Sequence, residues 1–405
     1  MHILEVKLPI CANYSYHNEM IIRNITEELY LIASQYPVVI ILGPRQAGKT
    51  TLAKQSFKQH HYCNLEHPEV RQLAEDDPVA FFKRYRGNVI IDEIQRVPTL
   101  LSYIQVIVDE NEKKGQYILT GSHQLLLHES IAQSLAGRTA ILKLLPLSMQ
   151  ELKTKNSKMD FLYYMFHGFL PKVYKDNLNP TRYYRNYYET YVQRDVHALI
   201  KLKDLSNFEK FIKLLAGRVG QIINYSSLSN DVGVSNHTLK HWISVLEASF
   251  IIIKLEPYFE NFGKRVIKSP KIFFTDTGLL CYLLGIENNK QLERDPLIGQ
   301  IFENLIVLEC LKTRFNQGLD GNLYYYRTSK GKEIDLLYKK GRELIPIEIK
   351  SAMTFNKKFT KGIKYLQKIT KSNTKGFIVY AGDLEHESEK YSVINYTKTY
   401  KIFNE

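Results

Sequence analysis

The residues of this chain that are best suited to chemistry form one short run. It reads Gly43-Pro44-Arg45-Gln46-Ala47-Gly48-Lys49-Thr50, with Thr51 next, and it matches the phosphate-loop pattern G-x-x-x-x-G-K-[ST]. Glycines let the backbone fold closely around a triphosphate, so that several N–H groups point at negative charge. Lys49 would then reach the β- and γ-phosphates, and the Thr50 hydroxyl would coordinate Mg²⁺. The run therefore predicts a site for a nucleoside triphosphate and Mg²⁺.

A second pattern follows downstream, an apolar segment that ends in two carboxylates. Residues 88–93 read Asn-Val-Ile-Ile-Asp-Glu. On its own this is an ordinary strand with an acidic turn, but behind a phosphate loop it predicts hydrolysis of the nucleotide. Asp92 would hold the Mg²⁺ through water, and Glu93 would orient the attacking water.

A third apolar segment, residues 116–122, ends in small polar residues. Ligands of a doubly wound sheet lie at the strand ends, so Ser122 would sense the γ-phosphate or the water. A plain strand end explains Ser122 equally well.

These patterns need a sheet to position them, and residues 21–155 alternate apolar runs with helical stretches. Strands that alternate with helices predict an α/β fold, in which a parallel sheet carries helices on both faces. The predicted strands are Val38–Leu42, His61–Leu65, Val89–Asp92, Tyr117–Thr120 and Ala140–Leu144.

Length and composition set wider limits. The chain has 405 residues, enough for two or three domains, and a net charge of +13, which suggests a polyanionic partner. None of the four cysteines lies in a C-x-x-C pair, so neither zinc nor a disulfide framework is indicated and a reducing cytoplasm is expected. No apolar run is long enough to span a bilayer, and residues 1–10 do not resemble a signal peptide.

Residues 156–260 predict a mostly helical module. Within it, tyrosines recur at helical spacing, at Tyr184, Tyr187, Tyr188 and Tyr191. Such a stripe is more often part of a core than a platform on which bases stack, and we expect a core.

The same module contains a predicted helix-turn-helix. A short helix over 227–231, a turn at Gly233 and a second helix capped by Ser235 and ending near Glu247 form the pattern. An apolar strand pair over Phe250–Phe259 would follow like the wing of a winged helix. The pattern fits a DNA-binding module and a module for protein contacts about equally. In the first case a DNA groove would face Asn236, His237, Thr238, Lys240 and His241.

Residues 261–405 predict a second constellation of charged residues. Ile334–Leu337 and Ile345–Lys350 read as neighbouring strands, and Glu303 lies early in an apolar helix over Ile301–Phe315. Glu348 and Lys350 are two positions apart and therefore share one face of their strand. A further helix, Phe359–Thr370, and a further strand, Gly376–Ala381, complete the order helix, three strands, helix, strand, which matches a restriction-endonuclease-like core.

The chemistry of that region would be metal-dependent. Asp335 and Glu348 would bind Mg²⁺, Glu303 would complete the metal shell, and Lys350 would orient water or stabilise charge on a phosphate. The pattern Asp…Glu-x-Lys is weak by itself, and many such folds act only as binding domains. A lysine stripe on the next helix would follow a phosphate backbone or simply face solvent; it comprises Lys357, Lys361, Lys364, Lys368 and Lys371.

With these residues in view, the chain resembles a prokaryotic family of AAA-type ATPases. In that family a C-terminal domain of uncharacterised function is similar to the PD-(D/E)xK nuclease superfamily. The motifs that carry the resemblance include residues 43–52, 90–98 (Ile-Ile-Asp-Glu-Ile-Gln-Arg-Val-Pro), 119–122 (Leu-Thr-Gly-Ser), 134–138 (Ser-Leu-Ala-Gly-Arg), 191–196, 268–280 and 299–304.

The resemblance implies that the N-terminal domain binds and hydrolyses ATP. By this match Gly48, Lys49, Thr50 and Thr51 bind phosphate, and Asp92 and Glu93 serve Mg²⁺ and water. Arg138 would stabilise transition-state charge within the subunit or across the interface of a homo-oligomer, a role for which Arg45 and Arg96 compete.

We therefore expect an α/β chain with three domains. A P-loop sheet of the AAA/ASCE type would occupy 21–155, a winged-helix-like module 156–260 and an α/β restriction-endonuclease-like domain 261–405. The expected function is a cytoplasmic ATPase that couples ATP to engagement of nucleic acid, with DNA favoured and nuclease activity left open. The alternatives are an ATP-dependent regulatory or defence switch without nuclease activity and a DNA-binding protein whose nuclease-like fold is only a scaffold.

Overall fold

The computed structural model describes residues 21–111, 113–122, 134–153, 159–196, 205–258 and 269–404. The first part holds a parallel sheet whose strands are β1 (Val38–Leu42), β2 (His61–Asn64), β3 (Val89–Asp92), β4 (Tyr117–Gly121) and β5 (Thr139–Lys143). Their order is β2-β3-β4-β1-β5, so β4 lies between the strand before the phosphate loop and the strand that ends in Asp92. Each predicted strand is confirmed to within one residue.

Helices cover both faces of this sheet. Side chains alternate along β1, so Val39 and Ile41 pack with Leu29 in one apolar cluster, whereas Ile40 packs with Leu101 in the other. All of β1 is buried, as expected for a parallel strand covered on both sides. The helices are α1 (Thr26–Gln35), α2 (Lys49–Ser56), α3 (Pro68–Asp76), α4 (Pro78–Arg84) and α5 (Leu100–Asn111).

A helical region follows the sheet. Pro171 and Pro180 each begin a helix, where the missing proline N–H costs nothing. The tyrosine stripe is buried at all of its positions, which confirms that it belongs to a core. The elements are α6 (Met149–Lys153), α7 (Phe161–His167), α8 (Pro171–Lys175), α9 (Pro180–Tyr187) and a π-helix (Tyr188–Val196).

The two helices and the turn that were predicted to form a helix-turn-helix are present next in the chain. After α10 (Leu205–Ala216) come α11 (Tyr225–Val232) and α12 (Asn236–Ala248). Gly233 adopts a φ of 88° at the turn, a conformation that costs glycine little. The Ser235 side chain caps α12 by accepting a hydrogen bond from the Thr238 N–H. Trp242 of α12 packs against two phenylalanine rings of α10 and fixes the angle between these helices.

The strand pair predicted over Phe250–Phe259 is wrong. The described residues 250–258 contain a single strand, β6 (Ile252–Leu255), and it pairs antiparallel with β7 (Lys271–Phe274). Ile222, before α11, forms an antiparallel bridge with Lys271 of β7. A short apolar run does not reveal its strand partner, and here the partner lies beyond residue 269. Phe259 itself lies outside the described residues.

The last part of the chain is a mixed six-stranded sheet with the order β12-β13-β11-β10-β9-β8. After α13 (Thr277–Leu283) and α14 (Asn289–Arg294), the long helix α15 (Ile298–Asn316) packs on this sheet. β9 pairs antiparallel with β10, and β10 pairs parallel with β11. The remaining elements are β8 (Leu323–Arg327), β9 (Glu333–Lys340), β10 (Glu343–Lys350), α16 (Lys361–Thr370), β11 (Gly376–Tyr380), β12 (His386–Glu387) and β13 (Tyr391–Asn395).

Candidate functional site

The phosphate loop joins the end of β1 to the start of α2. Gln46 and Gly48 have φ values of 62° and 94°, so the backbone takes the left-handed conformation at two positions within the loop. A Cβ atom on Gly43 would lie 2.0 Å from the carbonyl oxygen of Leu144, so only glycine allows the loop to leave the sheet here. The result is a loop whose backbone leads directly into the N-terminus of α2, an arrangement suited to phosphate.

Lys49 is held inside this loop. Its Nζ atom donates hydrogen bonds to the carbonyl oxygens of Gly43 and Pro44, at 2.9 and 2.8 Å. Burial lowers the pKa of Lys49 to about 8, although the nearby carboxylates of Glu93 and Asp92 oppose this shift. The ammonium group is thus positioned where a β- or γ-phosphate would meet it, but it is weakly stabilised by the protein alone.

Asp92 lies directly beside Thr50. The Thr50 hydroxyl donates to both carboxylate oxygens of Asp92, at 2.9 and 3.1 Å. The hydroxyl groups of Tyr62 and Thr120 also donate to Asp92, from β2 and β4 on either side of β3. A hydroxyl beside a carboxylate at the end of a phosphate loop is a donor set that fits Mg²⁺, and Thr50 and Asp92 would hold the ion.

Glu93 stands at the turn after β3 with a φ of 59°, which is uncommon for a residue other than glycine. Its Oε2 atom accepts a hydrogen bond from the Ser122 hydroxyl at 3.0 Å and another from the Gln95 side-chain amide. Gln95 also donates to the Ser122 Oγ atom at 3.0 Å. These contacts hold the carboxylate of Glu93 in place after β3, and Ser122 is its direct partner.

The three arginine candidates lie in two different places. The backbone oxygen of Arg138 accepts a hydrogen bond from Val38, at the start of β1, whereas the phosphate loop follows the other end of β1. A five-residue strand separates these edges by about 15 Å. Arg138 instead forms an ion pair with Asp109. The prediction that Arg138 acts within the subunit or across an interface stays a prediction, and this placement favours the interface. Arg45 and Arg96 both contact Glu66 near the loop.

Sequence reasoning missed several residues that support the loop. Arg23 donates to the Ala47 carbonyl at 2.8 Å and forms a buried ion pair with Glu151 at 3.0 Å. From α9, the hydroxyl of Tyr183 donates to the Gln46 side chain and that of Tyr187 to the Arg45 carbonyl. A buried tyrosine needs a hydrogen-bond partner for its hydroxyl, so the tyrosine-rich run over residues 183–191 is the signal in the sequence that could have pointed to these contacts.

The residues predicted for a second site do converge in the C-terminal sheet. The Lys350 Nζ atom lies 2.6 Å from Asp335 Oδ2 and 2.9 Å from Glu348 Oε2. The Ile349 N–H also donates to Asp335 Oδ2 at 2.9 Å. Burial alone would raise the pKa of Asp335, but Lys350 and Lys271 together lower it below its ordinary value.

Glu303 joins this cluster through a lysine that the sequence did not single out. The Lys271 Nζ atom lies 2.8 Å from Glu303 Oε1 and 2.7 Å from Glu333 Oε1. Burial raises the pKa of Glu303 to about 7 despite the attraction of Lys271. Among the residues that the structure describes, no three His, Cys, Asp or Glu side chains are arranged to hold a metal ion. In this arrangement the carboxylates of the cluster are bound by ammonium groups.

Glu348 is the least satisfied member of the cluster. Its side chain is 7% exposed, and its Oε1 atom has no hydrogen-bond partner in the described part of the chain. Burial, followed by the charge of Asp335, raises the pKa of Glu348 to about 8. The close approach of Gly362 accommodates this carboxylate, because a Cβ atom there would lie 1.8 Å from Glu348 Oε1.

Three family models match consecutive parts of the chain. Residues 35–153 match an AAA domain, residues 158–290 a domain of unknown function (DUF8612) and residues 298–399 a second one (DUF4143). An uncharacterized protein of Mycobacterium tuberculosis is 32% identical over 323 residues, which cover 78% of this chain and 71% of that protein. The chain belongs to this family of AAA-domain proteins. Its N-terminal part is accordingly a P-loop ATPase domain, and the site around Lys49, Asp92 and Glu93 lies within it.

More distant proteins also match over most of the chain. An uncharacterized protein of Haemophilus influenzae is 27% identical over 345 residues, covering 77% of this AAA-domain chain and 82% of the relative. Among solved structures, the Walker-type ATPase of Pyrococcus abyssi has 13% identity and a TM-score of 0.45, covering 68% of this chain and 99% of that one. At that score the likeness is too weak to define the fold, which follows instead from the strand order described above.

Two further surfaces of this AAA-domain protein bear on the predicted partners. On α12, the side chains of Asn236, His237, Lys240 and His241 are exposed, and Thr238 is half-buried. The lysines of the stripe on and beside α16 are exposed as well, which agrees with both interpretations of that stripe.

Within the ranges that the structure describes, no helix is both long and apolar enough to cross a membrane.

Proposed function

We propose that this protein hydrolyses ATP and uses the nucleotide to control how its helix-turn-helix and C-terminal regions bind nucleic acid. DNA is the favoured nucleic acid. One observation carries the coupling: the phosphate loop is hydrogen-bonded to the helical region itself. Tyr183 and Tyr187 of α9 reach Gln46 and the carbonyl of Arg45. A change in the loop on nucleotide binding would therefore act directly on the buried tyrosine core.

The residues divide the work of hydrolysis as follows. The loop amides around Gly48 and the ammonium of Lys49 bind the phosphates, and Thr50 and Asp92 hold Mg²⁺, which neutralises charge on them. Glu93 holds and polarises the attacking water, while Ser122 and Gln95 keep its carboxylate in place. Tyr62 and Thr120 perform the same positioning for Asp92.

The helical region supports an interpretation as a winged helix. The order α10, bridge at Ile222, α11, α12, β6 and β7 is that of three helices and a small antiparallel sheet. In this arrangement α12 is the recognition helix, and its exposed Asn, His and Lys side chains suit a DNA groove. The net charge of +13 favours a polyanion.

The C-terminal domain supports a role in binding more than one in cleavage. The order of α15, β8 to β10, α16 and β11 agrees with the predicted nuclease-like core. However, Lys271 and Lys350 pair with the carboxylates that a metal would need, so the residues as arranged do not fit Mg²⁺. We therefore assign no cleavage step to this conformation.

DNA binding by the full chain tests the coupling. We expect the affinity for duplex DNA, measured by fluorescence anisotropy, to differ with and without a non-hydrolysable ATP analogue, and DNA to stimulate ATP hydrolysis. The double substitution Lys240→Ala and His241→Ala on α12 should weaken DNA binding, and Lys290→Ala, another exposed lysine on α14, should not. DNA affinity that is unaffected by nucleotide and by the α12 substitutions would refute the proposal.

Cleavage needs its own assay. Wild-type protein and Lys350→Ala would be incubated with single- and double-stranded DNA and Mg²⁺ or Mn²⁺, with and without ATP. Cleavage by the wild type that is lost in the variant would make the protein an ATP-coupled nuclease. No cleavage under any of these conditions would favour the second candidate, an ATP-dependent regulatory or defence switch, which the lysine-neutralised carboxylate cluster supports.

A further inference from the structure

A separate cleft lies between α7 and the C-terminal sheet. Its volume is about 940 Å³, within the range of sites for small ligands. Strands β10, β11 and β13 run parallel, and Met353, Ala381 and Asn395, at or just after their ends, form part of its wall. Ligands of open α/β sheets bind outside the carboxyl ends of parallel strands. Neither the phosphate loop nor the cluster around Lys271 and Lys350 lines this cleft.

Aromatic rings and thioethers supply the apolar part of the wall. The ring of Tyr396, which begins a 3₁₀ helix (Tyr396–Phe403), packs edge-on against that of Phe161, with centroids 6.1 Å apart. The other large apolar residues of the wall are Tyr164, Tyr400, Met149, Met159 and Met353. Such a lining fits a ligand with a planar, apolar part.

Two carboxylates of the cleft are not neutralised. Asp160 lines it from the helical region and Asp383 from the C-terminal sheet. Each accepts a hydrogen bond from an uncharged group, and neither forms an ion pair with a described residue. The third carboxylate of the wall, Glu385, pairs with Lys398, and Lys153 is exposed at the end of α6. Unpaired carboxylates beside aromatic rings favour a cationic ligand.

Tyr396 provides an independent sign of a ligand. It is only 7% exposed and lines the cleft, yet its hydroxyl has no hydrogen-bond partner among the residues that the structure describes. Burial, followed by the charges of Tyr164, Asp160 and Asp383, raises the pKa of Tyr396 above its ordinary value, so the hydroxyl stays neutral. A buried tyrosine hydroxyl normally bonds to a partner, and a ligand in the cleft would supply one.

We propose that this cleft is an effector site for a small organic cation with a planar apolar part, such as an aromatic amidine or guanidine. Asp160 and Asp383 bind its charge, the rings of Phe161 and Tyr396 contact its planar part, and the Tyr396 hydroxyl accepts one of its hydrogen bonds. The site goes beyond the proposed function and requires neither DNA binding nor DNA cleavage.

Helix α6 connects the cleft to the phosphate loop. Gln150 lines the cleft, and its neighbour Glu151 forms the buried ion pair with Arg23. Arg23 in turn donates to the Ala47 carbonyl of the loop. A bound cation therefore contacts the helix that anchors the loop, and its binding changes the affinity for ATP.

Two small molecules of matched shape test the site in the full chain. Benzamidine carries a cationic amidinium group on a flat ring, whereas benzamide is uncharged. Titrations followed by ligand-observed NMR should give benzamidine a dissociation constant at least about tenfold lower, because the carboxylates attract only the cation. Asp383→Asn should remove most of this preference, and Tyr396→Phe should weaken benzamidine binding about fivefold. The matched control, Glu343→Gln, replaces an exposed glutamate at the other end of β10 and should do neither.

Equal affinities of the wild type for benzamidine and benzamide would overturn the proposal, and so would a preference that Asp383→Asn leaves intact. Saturating benzamidine should also change the affinity for a fluorescent ATP analogue by at least about fivefold, and an unchanged affinity would overturn the effector role. Asp383-dependent benzamidine binding in a protein whose DNA affinity ignores nucleotide would refute the proposed function and leave this site standing. Nucleotide-dependent DNA binding without a preference for benzamidine would do the reverse.

Discussion

The phosphate loop and the C-terminal carboxylate cluster use the same residue types in opposite ways. In the loop, Lys49 bonds to backbone carbonyls, and Asp92 accepts hydrogen bonds from hydroxyl groups. In the cluster, Lys271 and Lys350 bond to the carboxylates themselves. Hydroxyl groups leave a carboxylate negative, whereas ammonium groups neutralise it. The first site is therefore ready for a cation and a polyphosphate, and the second is already internally paired.

The comparison also explains why hydrolysis should depend on one carboxylate. Glu93→Gln removes the negative charge that polarises water while keeping the hydrogen bonds to Ser122 and Gln95 possible. We expect the turnover number for ATP to fall about 100-fold or more, with ATP still bound. Steady-state phosphate release and a nucleotide titration measure the two quantities. Normal turnover in Glu93→Gln would mean that another residue positions the water. The control is Glu69→Gln, a substitution of an exposed glutamate on α3, which should hydrolyse ATP like the wild type.

Lys49→Ala tests the cation of the first site. Loss of the only ammonium group held in the loop should weaken ATP binding by about 100-fold, because charge-assisted bonds to phosphate are strong. Fluorescent-nucleotide titration measures the change, and Lys83→Ala, an exposed lysine of α4, should bind ATP like the wild type. Retained affinity in Lys49→Ala would refute the assignment of the loop.

The phosphate loop and the carboxylate cluster also differ in how well the sequence predicts them. The loop residues are neighbours in the chain, and their roles follow from backbone geometry, so a contiguous pattern is sufficient. Asp92 and Glu93 need only one further strand, whose apolar run is unambiguous. The Lys271 contact depends on β7 pairing with β6 across residues 256–270 and on a domain docking against it. No local periodicity encodes that contact, and the same long-range pairing made the predicted strand pair at Phe250–Phe259 wrong.

Gly362→Ala tests how tightly the second site is packed. The new Cβ atom would lie 1.8 Å from Glu348 Oε1, so the carboxylate or α16 must shift and the contact with Lys350 must loosen. We expect the free energy of unfolding to fall by about 1–3 kcal/mol, measured by urea denaturation. The control is Gly299→Ala in α15, where the nearest atom is 3.8 Å away and alanine favours the helix. Equal stability of Gly362→Ala and wild type would show that the cluster has room to relax.

The buried lysine gives the first site a pH dependence. Burial lowers the pKa of Lys49 to about 8 in the nucleotide-free protein, below its unfolded value of 10.5. Above pH 8 the folded protein loses this proton, so ATP affinity should fall by up to about tenfold per pH unit. Between these two pKa values the unfolded chain binds more protons, so this group makes the stability of the free protein rise with pH. Lys49→Arg should remove both dependences, and a flat affinity profile of the wild type from pH 7 to 9.5 would contradict the prediction.

The smallest expected effect concerns the link between the loop and the helical region. Tyr183→Phe removes only the hydroxyl that donates to Gln46, whereas the ring remains packed against Tyr184 and Tyr187. Loss of one neutral hydrogen bond is worth about 1 kcal/mol, so ATP affinity should change about fivefold. Tyr188→Phe is the matched control, because Tyr188 is also buried but its hydroxyl lies beside Gln193 and not the phosphate loop. If the loop and helices are coupled, Tyr183→Phe should also reduce the effect of nucleotide on DNA affinity, which Tyr188→Phe should leave intact. An unchanged nucleotide effect in Tyr183→Phe would mean that this contact positions the loop without transmitting its state.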